Sequence, residues 1–183
     1  MNTAKYIALL RGVNVGGKNI IKMGALKSAC ERQGFQNVVT YINSGNLIFD
    51  SDLGETAVKA ACEKLIAEEF GLDITVFVLS AADLTVALTH APEWWNQAPD
   101  ARHDVFFVIP PMTAAEICAY VGAINEEYEK ADHYGRVIFW SARREPFTRT
   151  RWSKMISTDK TVYLAITVRN ANTALKLAEL AGR

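Results

Sequence analysis

A short hairpin placed between two helical stretches constrains this chain most. The runs Val38 to Ile42 and Leu47 to Asp50 are rich in β-branched and aromatic residues and meet across Asn43-Ser44-Gly45-Asn46, which is turn chemistry. Before the hairpin come the apolar run Lys5 to Arg11, long enough for a strand buried on both faces, and a helix over Lys22 to Gln33 that carries Met23, Leu26 and Cys30 at helical spacing and stops at Gly34. After it come a helix over Thr56 to Phe70, closed by Gly71, and a strand over Ile74 to Leu79. The order is βαββαβ, the split pattern of ferredoxin-like folds, in which two helices cover one face of an antiparallel sheet.

The pattern then begins again. Ser80 is placed to cap a connecting helix over Ala81 to His90, and Pro92 to Pro99, with Trp94 and Trp95, marks a boundary. The strand Val105 to Ile109 ends at Pro110-Pro111, Thr113 caps a helix carrying Ile117, Tyr120 and Val121, and Glu127 to His133 and Arg136 to Ala142 flank the turn Tyr134-Gly135. A helix over Phe147 to Met155, a strand over Val162 to Val168 and an amphipathic helix over Asn170 to Leu180 complete the chain. The expected fold is α+β: two ferredoxin-like halves, residues 1–80 and 102–183, joined by a connecting helix and Trp-containing linker at 81–101. Element order alone carries the duplication, because residue identity between the halves is weak.

Lys and Arg together number 20, as do Asp and Glu, so no global charge draws a polyanion, and any nucleic-acid site must be local. Half the residues are hydrophobic, which argues against disorder, yet no apolar run approaches a membrane span and Tyr6 to Leu10 is too short for a signal peptide. A cytoplasmic protein with no membrane partner is expected. Cys30, Cys62 and Cys118 lack the spacing of a disulfide framework or zinc set and read as buried thiols. His90, His103 and His133 fall on different elements, so no metal or cofactor is expected. His103 beside Asp104 is either an oriented base without an assigned nucleophile or a polar residue at a strand edge.

The segment Tyr6-Ile-Ala-Leu-Leu-Arg11-Gly-Val-Asn14-Val-Gly16-Gly17-Lys18-Asn19-Ile-Ile-Lys22-Met23, followed by Gly34-Phe-Gln-Asn-Val-Val-Thr-Tyr41-Ile-Asn-Ser44-Gly45-Asn46, resembles the domain-of-unknown-function 1697 family. The closing stretch Thr167-Val-Arg169-Asn170-Ala-Asn172-Thr173 with Lys176-Leu177 resembles that family's last motif, and the middle resembles it more loosely. Ala171 departs from the pattern, standing where many members carry Trp, so no aromatic contact is carried over there. The resemblance implies a cytosolic α+β protein of two ferredoxin-like halves. It implies no substrate, cofactor or catalytic residue, so the chemistry is argued from the residues.

Gly12-Val-Asn-Val-Gly16-Gly17-Lys18-Asn19 fits the G-x-x-x-x-G-K part of a phosphate-binding loop between strand and helix, but Asn19 replaces the magnesium-binding hydroxyl. A tight loop, with Asn14 and Asn19 bonded to their own backbone, is the alternative; an anion site of another kind, using Arg11, Lys18 and exposed N–H groups, is the third reading. In a split βαββαβ sheet the first and third strands are neighbours, which brings Ser44 and Asn46 to the same edge. The candidate ligand residues are therefore Arg11, Asn14, Gly16, Gly17, Lys18, Asn19, Ser44 and Asn46. Arg169 joins them because a guanidinium at a helix N-terminus favours anions, although Asn170 reads first as a cap. Arg143, Arg144, Arg149, Arg151 and Lys154, interleaved with Phe147 and Trp152, read either as a solvated basic surface or as a single-stranded RNA contact. The leading function is binding of a small phosphate-containing or nucleotide-like anion. An enzyme acting on a phosphorylated or nucleotide substrate is the alternative, an RNA-binding or scaffolding protein comes next, and open sheet edges offer a route to a homodimer.

Overall fold

The structure is a computed structural model that describes residues 3–144 and 149–182. The chain divides into two compact units, Met1–Thr85 with Lys176–Arg183, and Val86–Leu175. Each contains a four-stranded antiparallel sheet with the strand–helix pattern repeated, eight strands and seven helices among the described residues.

In the first unit β1 (Ala4–Leu10), α1 (Met23–Arg32), β2 (Gln36–Tyr41), β3 (Asn46–Ser51), α2 (Glu55–Phe70) and β4 (Val76–Ser80) follow one another, and the sheet order is β2-β3-β1-β4. This is the split arrangement expected from the sequence: β1 lies between β3 and β4, with Leu9 opposite Asn46 and Leu10 opposite Val76. Tyr6, Ala8 and Leu10 point into a core shared with Leu26 and Cys30 of α1 and with Val58, Cys62, Leu65 and Ile66 of α2. The alternate residues Ile7 and Leu9 are fully buried as well, which is why the β1 run is continuously apolar rather than alternating. Gly71, at φ 66°, closes α2 in the left-handed conformation.

In the second unit the order is β6-β7-β5-β8, built from β5 (Ala101–Val108), β6 (Glu129–Tyr134), β7 (Val137–Arg143) and β8 (Ile166–Asn170). The connecting helix α3 (Ala81–Thr89) begins where Ser80 Oγ accepts a hydrogen bond from Asp83 N. The helix α4 (Ala114–Val121) begins with a reciprocal Thr113–Glu116 capping box. A core on one sheet face gathers Phe106, Val108, Ile138 and Trp140 with Ile117, Trp152 and Val162.

Two bounds read from the sequence are corrected here. β5 starts at Ala101 rather than Val105, because Ala101 to Asp104 pair with Trp140 to Arg143 and draw polar residues into the ladder. Residues read as a strand from Val162 form instead a helix, α6 (Lys160–Ala165), since the Asp159 carboxylate accepts from Thr161 N and Val162 N and so starts a new turn. The strand waits until Ile166, opposite Val108. The preceding helix α5 spans Arg151–Thr158; Phe147, where it was expected to begin, lies outside the described residues.

Candidate ligand-binding site

The glycine-rich segment after β1 folds as a miniature hairpin. Lys18 N donates to Val15 O (3.0 Å) and Asn14 N to Asn19 O (3.2 Å), with Gly16 and Gly17 both left-handed at φ 58° and 74° between them. Two successive positive φ values define the turn that matches the twist of paired strands, and glycine adopts them without steric cost. Asn14 and Asn19 are left-handed too, at 56° and 48°, a conformation that asparagine tolerates. The helix α1 begins four residues later, at Met23, so the segment is not a phosphate cradle running straight into a helix.

Asn14 ties this hairpin down. Its Oδ1 accepts from Ile21 N (2.9 Å), and its Nδ2 donates to Ile21 O (2.9 Å) and to Asn43 O (2.7 Å) in the β2–β3 turn. Asn19 Nδ2 donates to Gly12 O, while Asn46 Nδ2 donates to Tyr41 O and to Ser44 Oγ, each at 3.0 Å. Leu10 N donates to Gly45 O at 2.8 Å. The glycine-rich hairpin and the Ser44-Gly45-Asn46 turn thus share one edge of the sheet, as the strand order requires. The asparagine amides act as internal fasteners. What the edge offers outward is the half-buried Arg11, the exposed Lys18 and the exposed backbone at Gly16 and Gly17.

Arg169 belongs to the second unit, and it is buried. Its guanidinium donates to Thr167 Oγ1 (3.1 Å) and Val168 O (2.8 Å), and desolvation pulls its pKa down to about 10. Asn170 caps α7 (Ala171–Ala181), its Oδ1 accepting from Thr173 N at 2.8 Å. Beside this cap the second unit holds a polar cavity of about 850 Å³ lined by Arg102, His103, Asp104, Arg144, Asn170 and Asn172. Arg102 Nε donates to Asp104 Oδ2 at 2.6 Å; burial raises the Asp104 pKa, and the guanidinium opposes that rise. The cavity went unseen in the sequence because it depends on cross-strand register, Asp104 facing Asn170, which no local pattern encodes.

In the basic segment, the guanidinium groups of Arg143 and Arg149 stand over the Tyr128 ring at 5.7 and 5.3 Å, and Arg149 also donates to Tyr128 OH at 2.6 Å. Arg151 Nε donates to Val121 O, and Trp152 is core. Among the described residues no group of three or more His, Cys, Asp or Glu could hold a metal ion, and no helix is long and apolar enough to cross a membrane. The thiols are free. Burial pushes Cys30 up to about 12 and Cys118 to about 11, and Cys62 higher still.

A family described as a protein of unknown function, DUF1697, matches residues 3–139. Among curated proteins none matches the chain. The conserved bacterial protein SP0830 from Streptococcus pneumoniae is similar in structure, with a TM-score of 0.86 and 28% identity over 98% of this chain and 99% of that one.

Proposed function

The chain belongs to the DUF1697 family of proteins of unknown function, and from its own residues we propose that it binds a small phosphate-containing or nucleotide-like anion at the glycine-rich hairpin. The observation that carries this reading is the Asn14 clamp, which fixes the hairpin to the Asn43 turn through its side-chain amide. A loop fastened in advance does not lose conformational freedom when a ligand arrives, and that saving appears directly as affinity. The fastened loop presents Lys18 at the end of a Gly-Gly turn whose lack of side chains lets a ligand approach the backbone. Lys18 is exposed, and no ion pair engages it among the described residues. Arg11, at the end of β1, is the second cation of the same edge.

A thermal-shift panel of inorganic phosphate, nucleotides with and without magnesium, and short RNA tests the reading on wild type and Lys18→Ala. Ligand at 100 times its dissociation constant stabilises by about 2.7 kcal/mol, or several degrees for a chain of this size. A shift with phosphate compounds that Lys18→Ala abolishes is the expected result. Equal shifts in both proteins, or none in either, would remove the hairpin as the site.

A further inference from the structure

On the second unit, His103 of β5 and Ser141 of β7 are direct cross-strand partners, and their side chains meet, Ser141 Oγ lying 2.6 Å from His103 Nδ1. Two further contacts fix which atoms carry hydrogen. Asn96 N, which can only donate, points at Nδ1 from 3.2 Å, so Nδ1 is the bare nitrogen. The carbonyl of Ala98, which can only accept, lies 2.7 Å from Nε2, so Nε2 bears the hydrogen. The Ser141 hydroxyl is therefore the donor to Nδ1. This is a hydroxyl hydrogen-bonded to a neutral imidazole whose far side is oriented by a third group, the geometry that activates a serine.

The pair opens onto a cavity of about 390 Å³ whose other walls include Trp94, Tyr128, Lys130 and Arg143. Ser141, 8% exposed, is part of its lining. The Trp94 indole suits a short acyl or aromatic group, and Lys130 and Arg143 are the cations lining the cavity that face charge developing on a carbonyl oxygen.

We propose that Ser141, with His103 as its base, is the nucleophile of an acyl-transfer site that takes carboxylic esters with a short acyl or aromatic group. Ser141 Oγ bonds to the ester carbonyl carbon while its proton passes to Nδ1, where the longer bond from Asn96 N gives way. The tetrahedral adduct expels the alcohol, which takes the proton from His103. Water then attacks the acyl-serine, gives one proton to Nδ1, and that proton returns to Ser141 Oγ as the acid leaves. The sum is ester plus water to acid plus alcohol, with no oxidant and no metal. The site is independent of the glycine-rich hairpin, so either reading can fail without the other.

The test uses the full chain with a fluorophosphonate probe, located by peptide mass mapping, and with p-nitrophenyl acetate as substrate. The expected result is one adduct on Ser141 and hydrolysis that falls to background in Ser141→Ala. In His103→Gln the rate drops by roughly 100-fold or more, the contribution of a positioned general base. Absence of an adduct at Ser141 in wild type, or unchanged hydrolysis in a folded Ser141→Ala, would overturn the assignment. Mapping on wild type needs no variant, so the outcome stands even if a substitution fails to fold.

Discussion

Glu129 is 2% exposed on a strand otherwise facing water, and its carboxylate gathers three donors. Trp140 Nε1 donates to it at 2.8 Å and Trp152 N at 3.2 Å, and Arg151 N makes a further short bond. Two of these are first-turn amides of α5, which have no partner within the helix, and the helix dipole adds to the attraction for negative charge. Glu129→Ala removes the acceptor and strands all three donors. Each stranded buried donor costs about 1–3 kcal/mol, and breaking a buried charged network as a whole about 3–5 kcal/mol, so about 4 kcal/mol is the expected loss. For a chain of this length that is a fall in Tm of roughly 8–16 °C. All four tryptophans, Trp94, Trp95, Trp140 and Trp152, lie in the second unit, so tryptophan fluorescence during heating or urea unfolding reports that unit selectively. Calorimetry on the same samples shows whether the first unit unfolds with it. Glu129→Gln, which keeps the volume and one acceptor oxygen, should lose about half as much. A loss below about 1 kcal/mol for Glu129→Ala would place Glu129 among ordinary surface substitutions and refute the argument.

Three further outcomes follow from the geometry. A Cβ on Gly45, at φ 71°, would stand 2.7 Å from Leu10 Cβ, whereas one on Gly16 meets nothing within 4 Å. Urea unfolding should therefore show Gly16→Ala costing about 1–2 kcal/mol of backbone strain and Gly45→Ala distinctly more. With thiol pKa values of about 12 for Cys30 and about 11 for Cys118, the thiolate fraction at pH 8 is about one in a thousand or less. Ellman's reagent should accordingly label the native protein slowly and all three cysteines quickly in guanidinium. Burial raises the pKa of Asp104 against the pull of Arg102, so the folded state holds that proton more tightly than the unfolded chain. Its contribution to stability then falls as pH rises from the ordinary carboxylate range through the raised value, and Asp104→Asn should flatten that part of the stability–pH curve.

The topology was legible because the hairpin turns and helix caps are local: Gly45, Gly71, Thr113 and Asn170 each do in space what their position in the sequence implies. The shared edge of the glycine-rich loop and the Ser44 turn followed from strand order alone. Contacts set by partners distant in sequence were not legible. Glu129 reads as one charge in a charged arm, and only the return of α5, more than twenty residues later, makes it an acceptor. His103 could be named as a base without a nucleophile because Ser141 is 38 residues away, brought opposite by register. The strand expected from Val162 has another reason to be absent: Thr161, Val162 and Tyr163 have strand propensity, and the Asp159 cap overrides it. The sequence offers Arg169 as a guanidinium for an anion at a helix N-terminus, and its place on the ladder opposite Val105 buries it.

Binding at the edge formed by the glycine-rich hairpin and the Ser44 turn is tested most directly by an amide-resolved NMR titration of the full chain with inorganic phosphate and a nucleotide. Anion binding there gives saturable shifts confined to the amides of Gly16, Gly17, Lys18 and the neighbouring Ser44 turn, lost in Lys18→Ala. Saturable shifts elsewhere with those amides unmoved, or no shifts at millimolar ligand, would contradict it.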